Sequence, residues 1–333
     1  MIIHLKKNIG LDKANQVAML NKAFLIEKDD KFVLISSSSQ KEIAKGDYEQ
    51  FVTETFVFPN DMQLSSKEYI NKTREIQFGN VKIGGNTNHT ILIAGPCSVE
   101  SEEQIQQSSA LLKELNLTML RGGCYKPRTS PYSFQGLGLE GLKLLAKMRE
   151  EHGLAVITEV RDATHVDEVI EYSDIIQIGA KAMYDQGILR ACAKTKKPVM
   201  IKRGFGSTLQ ETVQCAEFVL SGGNDNVALC ERGIRTFETK TRFTLDLCGV
   251  AYLKEHTNLP VILDPSHAMG HAYGVPDLTR ACTAMGVDGL IIEVHPTPKI
   301  AKSDASQQLN HDQFKALYKT LPPVANAVGR VIV

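Results

Sequence analysis

The 333-residue chain contains no tryptophan, carries no net formal charge (38 Lys+Arg against 38 Asp+Glu) and has no apolar run of the ~18 residues that would span a bilayer. Without a basic excess, a dedicated nucleic-acid or acidic-membrane binder is excluded. The opening, MIIHLKKNIG, has too short an apolar stretch before its lysines for a signal peptide, so a cytoplasmic protein is expected. A disulfide framework is also missing: the seven cysteines are odd in number and scattered through apolar runs, which fits reduced thiols. At 43% hydrophobic and 23% charged residues the composition is that of an ordinary globular protein, long enough for one large domain or two.

What is present falls into two grammars. Residues 1–65 read as MIIHL, a helical pattern from Leu11 to Ala23, FLIEKDD, KFVLISSSS, a second helical stretch QKEIAKGDYEQF and a closing strand VTETFVFP. That β-α-β-β-α-β order predicts a small ferredoxin-like α+β domain. Residues 66–74 read as a linker. From Glu75 a hairpin, EIQFGNVKIGG, precedes eight β-rich runs at 90–97, 117–123, 154–160, 174–180, 197–203, 226–232, 260–266 and 289–295, with amphipathic helical patterns between them. Eight strands apolar on both faces, each followed by a helix, predict an α/β fold in which residues 75–333 close into a (β/α)₈ TIM barrel. A doubly wound sheet predicts a G-x-G-x-x-G turn after its first strand, where this chain has GPCSVESEE.

Catalytic groups of such barrels sit at the carboxyl ends of strands. Here the first strand ends in Cys97, the seventh in Asp264 and His267 and the eighth in Glu293 and His295, with Asp304 in the following loop. Closure brings strand eight beside strand one, so Cys97, His267, Glu293 and Asp304 can converge on one divalent ion. Mixed S/N/O donors suit Zn²⁺, Mn²⁺, Fe²⁺ or Co²⁺ better than Mg²⁺ or Ca²⁺. A lone strand-end cysteine is more often a small buried hydrophobe, and a lone histidine as often structural. The four together favour a metal, while Glu159, Glu231 and His295 remain without a role.

The other strands end in cations: Arg121, then Lys126 and Arg128 in the loop after it, Lys181, Lys202, Arg203, Arg232 and Arg235. Gathering like charges in one mouth is costly unless anions complete it, so the mouth is expected to bind phosphate or carboxylate groups. Salt bridges to Glu159 and Glu231 account for one or two of these cations. The loop KPRTSPYSFQGLG adds hydroxyls and backbone amides to them.

IAGPCSVES, RGGCYKPRTSPYSFQGLGLEGLKLL, QIGAKAM, PVMIKRG, LCERGIRTFE, ILDPSHAMGH and IIEVHPTPKIAKSDASQQL together resemble the motifs of the type Iβ 3-deoxy-D-arabino-heptulosonate-7-phosphate (DAHP) synthase family over about residues 75–320. Some members also carry a ferredoxin-like regulatory module in front. The resemblance implies condensation of phosphoenolpyruvate (PEP) with erythrose 4-phosphate, the first step of the shikimate pathway and of aromatic amino acid biosynthesis, with a divalent metal ion. It implies Cys97, His267, Glu293 and Asp304 as ligands, Arg121, Lys126, Lys181, Lys202 and Arg232 as the grip on PEP, and Arg128 and Thr129 on the aldose phosphate. Lys126 is the candidate for proton transfer. An aromatic amino acid effector on the front domain and a homo-oligomer, a tetramer by family habit, follow as expectations. Two positions depart from the family pattern: Lys181 stands where GARN is common, keeping charge without the guanidinium fork, and Gly270-His271-Ala272 replaces a Gly-Arg-Arg run. The alternatives are 3-deoxy-octulosonate-8-phosphate synthase, a related PEP–aldose condensing enzyme of secondary metabolism, and a non-catalytic sensor barrel.

Overall fold

A computed structural model of the chain describes residues 1–126 and 130–333. The front domain holds β1 (Ile2–Lys6), α1 (Leu11–Leu20), β2 (Phe24–Glu27), β3 (Lys31–Ile35) and β4 (Val52–Phe56). Its antiparallel sheet has the order β2-β3-β1-β4, which is that of the split β-α-β unit. The second expected helix is absent. Over residues 40–51 only a 3₁₀ turn forms, at Glu49–Phe51, because the segment is held from the side instead of along an axis. Asn21 Oδ1 accepts from the Ala44 amide at 2.9 Å, and Tyr48, buried, bonds the Ala44 carbonyl and Asn21. Gly46 lets the chain pass the Tyr48 ring, which a Cβ would meet at 2.8 Å.

The barrel strands are β7 (His89–Gly95), β8 (Met119–Arg121), β9 (Ala155–Val160), β10 (Ile175–Ile178), β11 (Val199–Lys202), β12 (Val227–Glu231), β13 (Val261–Leu263) and β14 (Gly289–Glu293), numbered after the hairpin strands β5 (Glu75–Phe78) and β6 (Val81–Gly84). All eight run parallel in sequence order, and β14 closes on β7 with Glu293 opposite Gly95. The observed strands are shorter than the apolar runs in the sequence, since each run continues past its ladder into the loop that bears the polar group. The hairpin caps the amino-terminal end of the barrel, packing Ile76 and Ile83 against Ile91, Ile157, Ile175 and Ile262. Burying each such isoleucine is worth about 1.5–3 kcal/mol, enough to fix a two-stranded element that is marginal alone.

Residues 63–74 lie along the barrel. The half-buried Glu217 carboxylate on helix Leu209–Ser221 accepts the backbone amides of Gln63, Leu64 and Ser65 at 2.7–3.1 Å. Asn258 donates to the Leu64 and Ser66 carbonyls, and Arg74 pairs with Asp225 at 3.1 Å. Ile2, Ile26, Val33 and Ile35 of the front sheet share one apolar core with the barrel helices, so the sheet rests on the barrel through one face. No helix among the described residues is long and apolar enough to cross a membrane.

Candidate active site at the carboxyl end of the barrel

Local sequence places each polar group. DPSHAMG builds a one-turn helix, Pro265–Met269: Asp264 caps it by accepting the His267 amide at 2.9 Å, Pro265 occupies its first position, and Gly270 ends it at φ 75°. His267 is thereby turned back over the strand ends. Cys97 lies two residues beyond Gly95 of β7, and Glu293 is the last residue of β14. Gly123 leaves room for Lys126 to fold inward, since a Cβ there would stand 2.8 Å from Nζ.

Three of the four expected donors come together, and the fourth, His267, lies beside two of them. One ligand atom each from Cys97, Glu293 and Asp304 lies within 4.8 Å of the other two. His267 Nε2 is 3.5 Å from Glu293 Oε1 and 3.7 Å from Asp304 Oδ2. Donors about 2.0–2.3 Å from a shared ion stand roughly 3–4.6 Å apart, so the spacing and the mixed donor chemistry fit a divalent cation. Nδ1 of His267 sits 2.7 Å from Asp264 Oδ2, at pairing distance though off the hydrogen-bond line. Asp264 also accepts from Lys202, which makes it the group that orients the imidazole.

The electrostatics are mutual. Burial, aided by Glu293, pushes the Cys97 thiol up to about 12, against the pull of Lys126. Burial works to raise the Asp304 carboxyl, but His267, Arg242 and Lys126 outweigh it and hold it below the usual range. Glu293 behaves likewise under His267 and Arg121. Burial pulls the His267 imidazole down despite Asp264 and Glu293. Lys126 Nζ donates to the Cys97 carbonyl at 3.0 Å and to Sγ at 3.2 Å, and its neighbours Cys97 and Glu159 overcome desolvation to keep it charged.

Beside the donors opens a cavity of about 380 Å³ lined by Lys126, Lys181, Lys202, Arg232, Arg235 and Arg242, with Glu159, Phe205 and Phe243. Not every strand-end cation serves it. Arg203 turns away and is bound by Glu231 at 3.0 Å, Asp246 at 2.8 Å and the Ser207 carbonyl, so it is a structural ion pair. Arg121, by contrast, stays with the donors, pairing with Glu293 and reaching the Cys97 carbonyl at 3.4 Å. Arg232 is buried with its guanidinium 4.3 Å from the Phe243 ring, and its Nη1 has no partner among the described residues. Burial draws its pKa down. Lys181 is exposed on the cavity rim, and His271 stacks on Tyr273 at the surface. Arg128 and Thr129 lie outside the described residues.

Residues 61–328 match the DAHP synthetase I family. The chain belongs to that family. A phospho-2-dehydro-3-deoxyheptonate aldolase of Thermotoga maritima is 44% identical over 267 residues, covering 80% of this chain and 78% of that protein. The crystal structure of the DAHP synthase from Thermotoga maritima superposes over 100% of this chain and 98% of its own, with a TM-score of 0.80 and 36% identity. A 2-dehydro-3-deoxyphosphooctonate aldolase of Methylobacillus flagellatus is 34% identical, covering 72% of this chain and 92% of that protein.

Three residues of this DAHP synthetase I member escaped the sequence reading. Arg242 donates to Asp304 at 3.1 Å and to Gln307 at 2.7 Å, Gln307 donates to Glu293 at 2.6 Å, and Gln308 accepts the Cys97 amide at 2.9 Å. Their one available signal was membership of the polar segments TKTRF and KSDASQQL, which have no periodicity to say which way a side chain points.

Proposed function

We propose that this protein is a DAHP synthase, which joins PEP to erythrose 4-phosphate and releases phosphate, the entry step of the shikimate pathway. The observation that carries this reading is a Cys/Glu/Asp donor cluster opening directly onto a cavity walled by lysine and arginine, which suits one ion and two phosphorylated anions. The likeness to the Thermotoga enzyme includes the front sheet, whereas the octonate aldolase leaves about a quarter of the chain unmatched.

In this reading Cys97, His267, Glu293 and Asp304 hold the divalent ion, Mn²⁺, Zn²⁺, Fe²⁺ or Co²⁺. When bound, the ion supplies Lewis-acid polarisation of the aldehyde. Arg121, Lys126, Lys181, Lys202 and Arg232 grip PEP, and Arg128 and Thr129 the aldose phosphate. The PEP methylene carbon adds to the aldehyde carbon, water adds at the carbon bearing phosphate, and phosphate leaves by C–O cleavage. Lys126 Nζ, at the edge of the donor cluster, passes a proton to the new hydroxyl. Cys97 and His267 act from the donor side, and the cations hold two anions together against their repulsion, so positioning and electrostatics provide most of the acceleration.

The front domain is read as an allosteric module for tyrosine or phenylalanine and the assembly as a cytoplasmic homo-tetramer. Exposed Tyr132, Tyr184, Phe237, Tyr273 and Ile300 on the loops around the mouth supply apolar surface for subunit contact. One experiment tests the whole reading: PEP consumption by chelator-stripped protein with and without Mn²⁺, offered erythrose 4-phosphate or arabinose 5-phosphate, with tyrosine or phenylalanine added. Mn²⁺-dependent turnover with the four-carbon sugar is expected. Turnover with arabinose 5-phosphate alone would make the protein an octonate enzyme, and none with either sugar would leave a binding barrel.

A further inference from the structure

We propose that Gln307, clamped by Arg242, is a positioning residue that sets the spacing of the Glu293 and Asp304 carboxylates and thereby the affinity of the site for a divalent ion. The inference rests on the reading of Cys97, His267, Glu293 and Asp304 as the residues that hold that ion.

The two carboxylates arrive by different routes. Glu293 ends a strand paired with β7 at every residue, but Asp304 lies in a loop at φ 48°, a left-handed conformation that few residues other than glycine adopt. No ladder holds it, so its side chain depends on local partners. Gln307, buried to 1%, supplies them: Nε2 donates to Glu293 Oε2 at 2.6 Å and to Asp304 Oδ2 at 3.3 Å, and its own amide closes a turn onto the Asp304 carbonyl at 3.2 Å. The side-chain carbonyl Oε1 then accepts from Arg242 Nη1 at 2.7 Å, and the same nitrogen reaches Asp304 Oδ2 at 3.1 Å.

Arg242 is itself anchored, because its backbone amide bonds Met269 at 3.1 Å and that of Phe243 bonds Ala268 at 2.8 Å, just beyond His267. One chain of bonds therefore ties together the loops that follow β12, β13 and β14. Glutamine suits its middle position by chemistry. It offers N–H groups to two carboxylates and an oxygen to a guanidinium, whereas a glutamate would present a third negative charge and a methionine of similar volume would present nothing. The amide engages Oε2 of Glu293 and leaves Oε1 facing His267.

The test is a Co²⁺ titration of chelator-stripped wild type, Gln307→Met and Arg242→Lys, followed by the near-ultraviolet charge-transfer band that cobalt gives only through a thiolate. Gln307→Met is expected to weaken Co²⁺ binding by about 10–100-fold, the usual cost of removing an outer partner of a ligand. Arg242→Lys, which keeps the charge and loses the fork, falls between that variant and wild type. The band itself persists in both, and the metal-free proteins melt within a few degrees of wild type. Gln307→Met binding Co²⁺ as tightly as wild type overturns the proposal. If that variant does not fold, wild-type affinity in Arg242→Lys overturns it instead. A wild type with no thiolate band overturns the metal reading, and the clamp with it.

Discussion

At the ends of β8, β11, β13 and β14 the buried charges meet opposite charges: Arg121 with Glu293, Lys202 with Asp264, and the half-buried Asp304 with Arg242. At the end of β12, between β11 and β13, Arg232 is buried as deeply but faces a phenylalanine ring, with Nη1 unpartnered among the described residues. The first group finds its counter-charges within the fold, and an anion bound there must share them. The second is held by the rest of the protein in a state that an anion would relieve, and this is where burial works against stability in the service of binding.

Removing one charge from each group tests that contrast. Glu293→Ala strands Arg121 in the interior and is expected to cost about 3–5 kcal/mol of stability, read by urea unfolding of the metal-free protein. Unchanged unfolding would mean that the pair is dispensable and the contrast false. Arg232→Met has the opposite sign: the melting temperature should hold or rise while the KM for PEP increases roughly 10- to 100-fold, the worth of a charge-assisted hydrogen bond. A variant that lost stability as well would show that Arg232 has a partner within the protein.

The smallest effect concerns Glu231, whose carboxyl burial raises above 4.5 although Arg203 opposes the shift. Between 4.5 and that raised value the folded state binds more protons than the unfolded one, so this group adds stability as pH falls through the window and withdraws it as pH rises. Glu231→Gln should therefore flatten the dependence of unfolding free energy on pH just above 4.5. An unaltered slope would mean that Arg203 fully compensates the burial.

The barrel was legible because eight apolar runs each ended in a polar group, and closure of β14 on β7 is what sets Cys97 beside Glu293 and Asp304, with His267 next to the two carboxylates. The division of cations was partly legible: Lys202 ends β11 and Arg203 follows it directly, and alternation continued one residue past the strand sends the first toward the mouth and the second outward to Glu231. The Arg242–Gln307 clamp was not, because irregular loops carry no period from which a facing direction can be read. The missing second helix of the front domain has a different cause. Its apolar residues are spaced as for a helix, but Gly46 and the side-chain hold of Asn21 and Tyr48 make the local alternative better.

The isoleucines of the β5–β6 hairpin add one more apolar layer beneath the side chains that already fill the barrel. The amino-terminal end is thereby given over to cohesion, and polar chemistry is left to the opposite end, so a change in the hairpin is felt in how firmly the barrel holds together before it is felt at the donors.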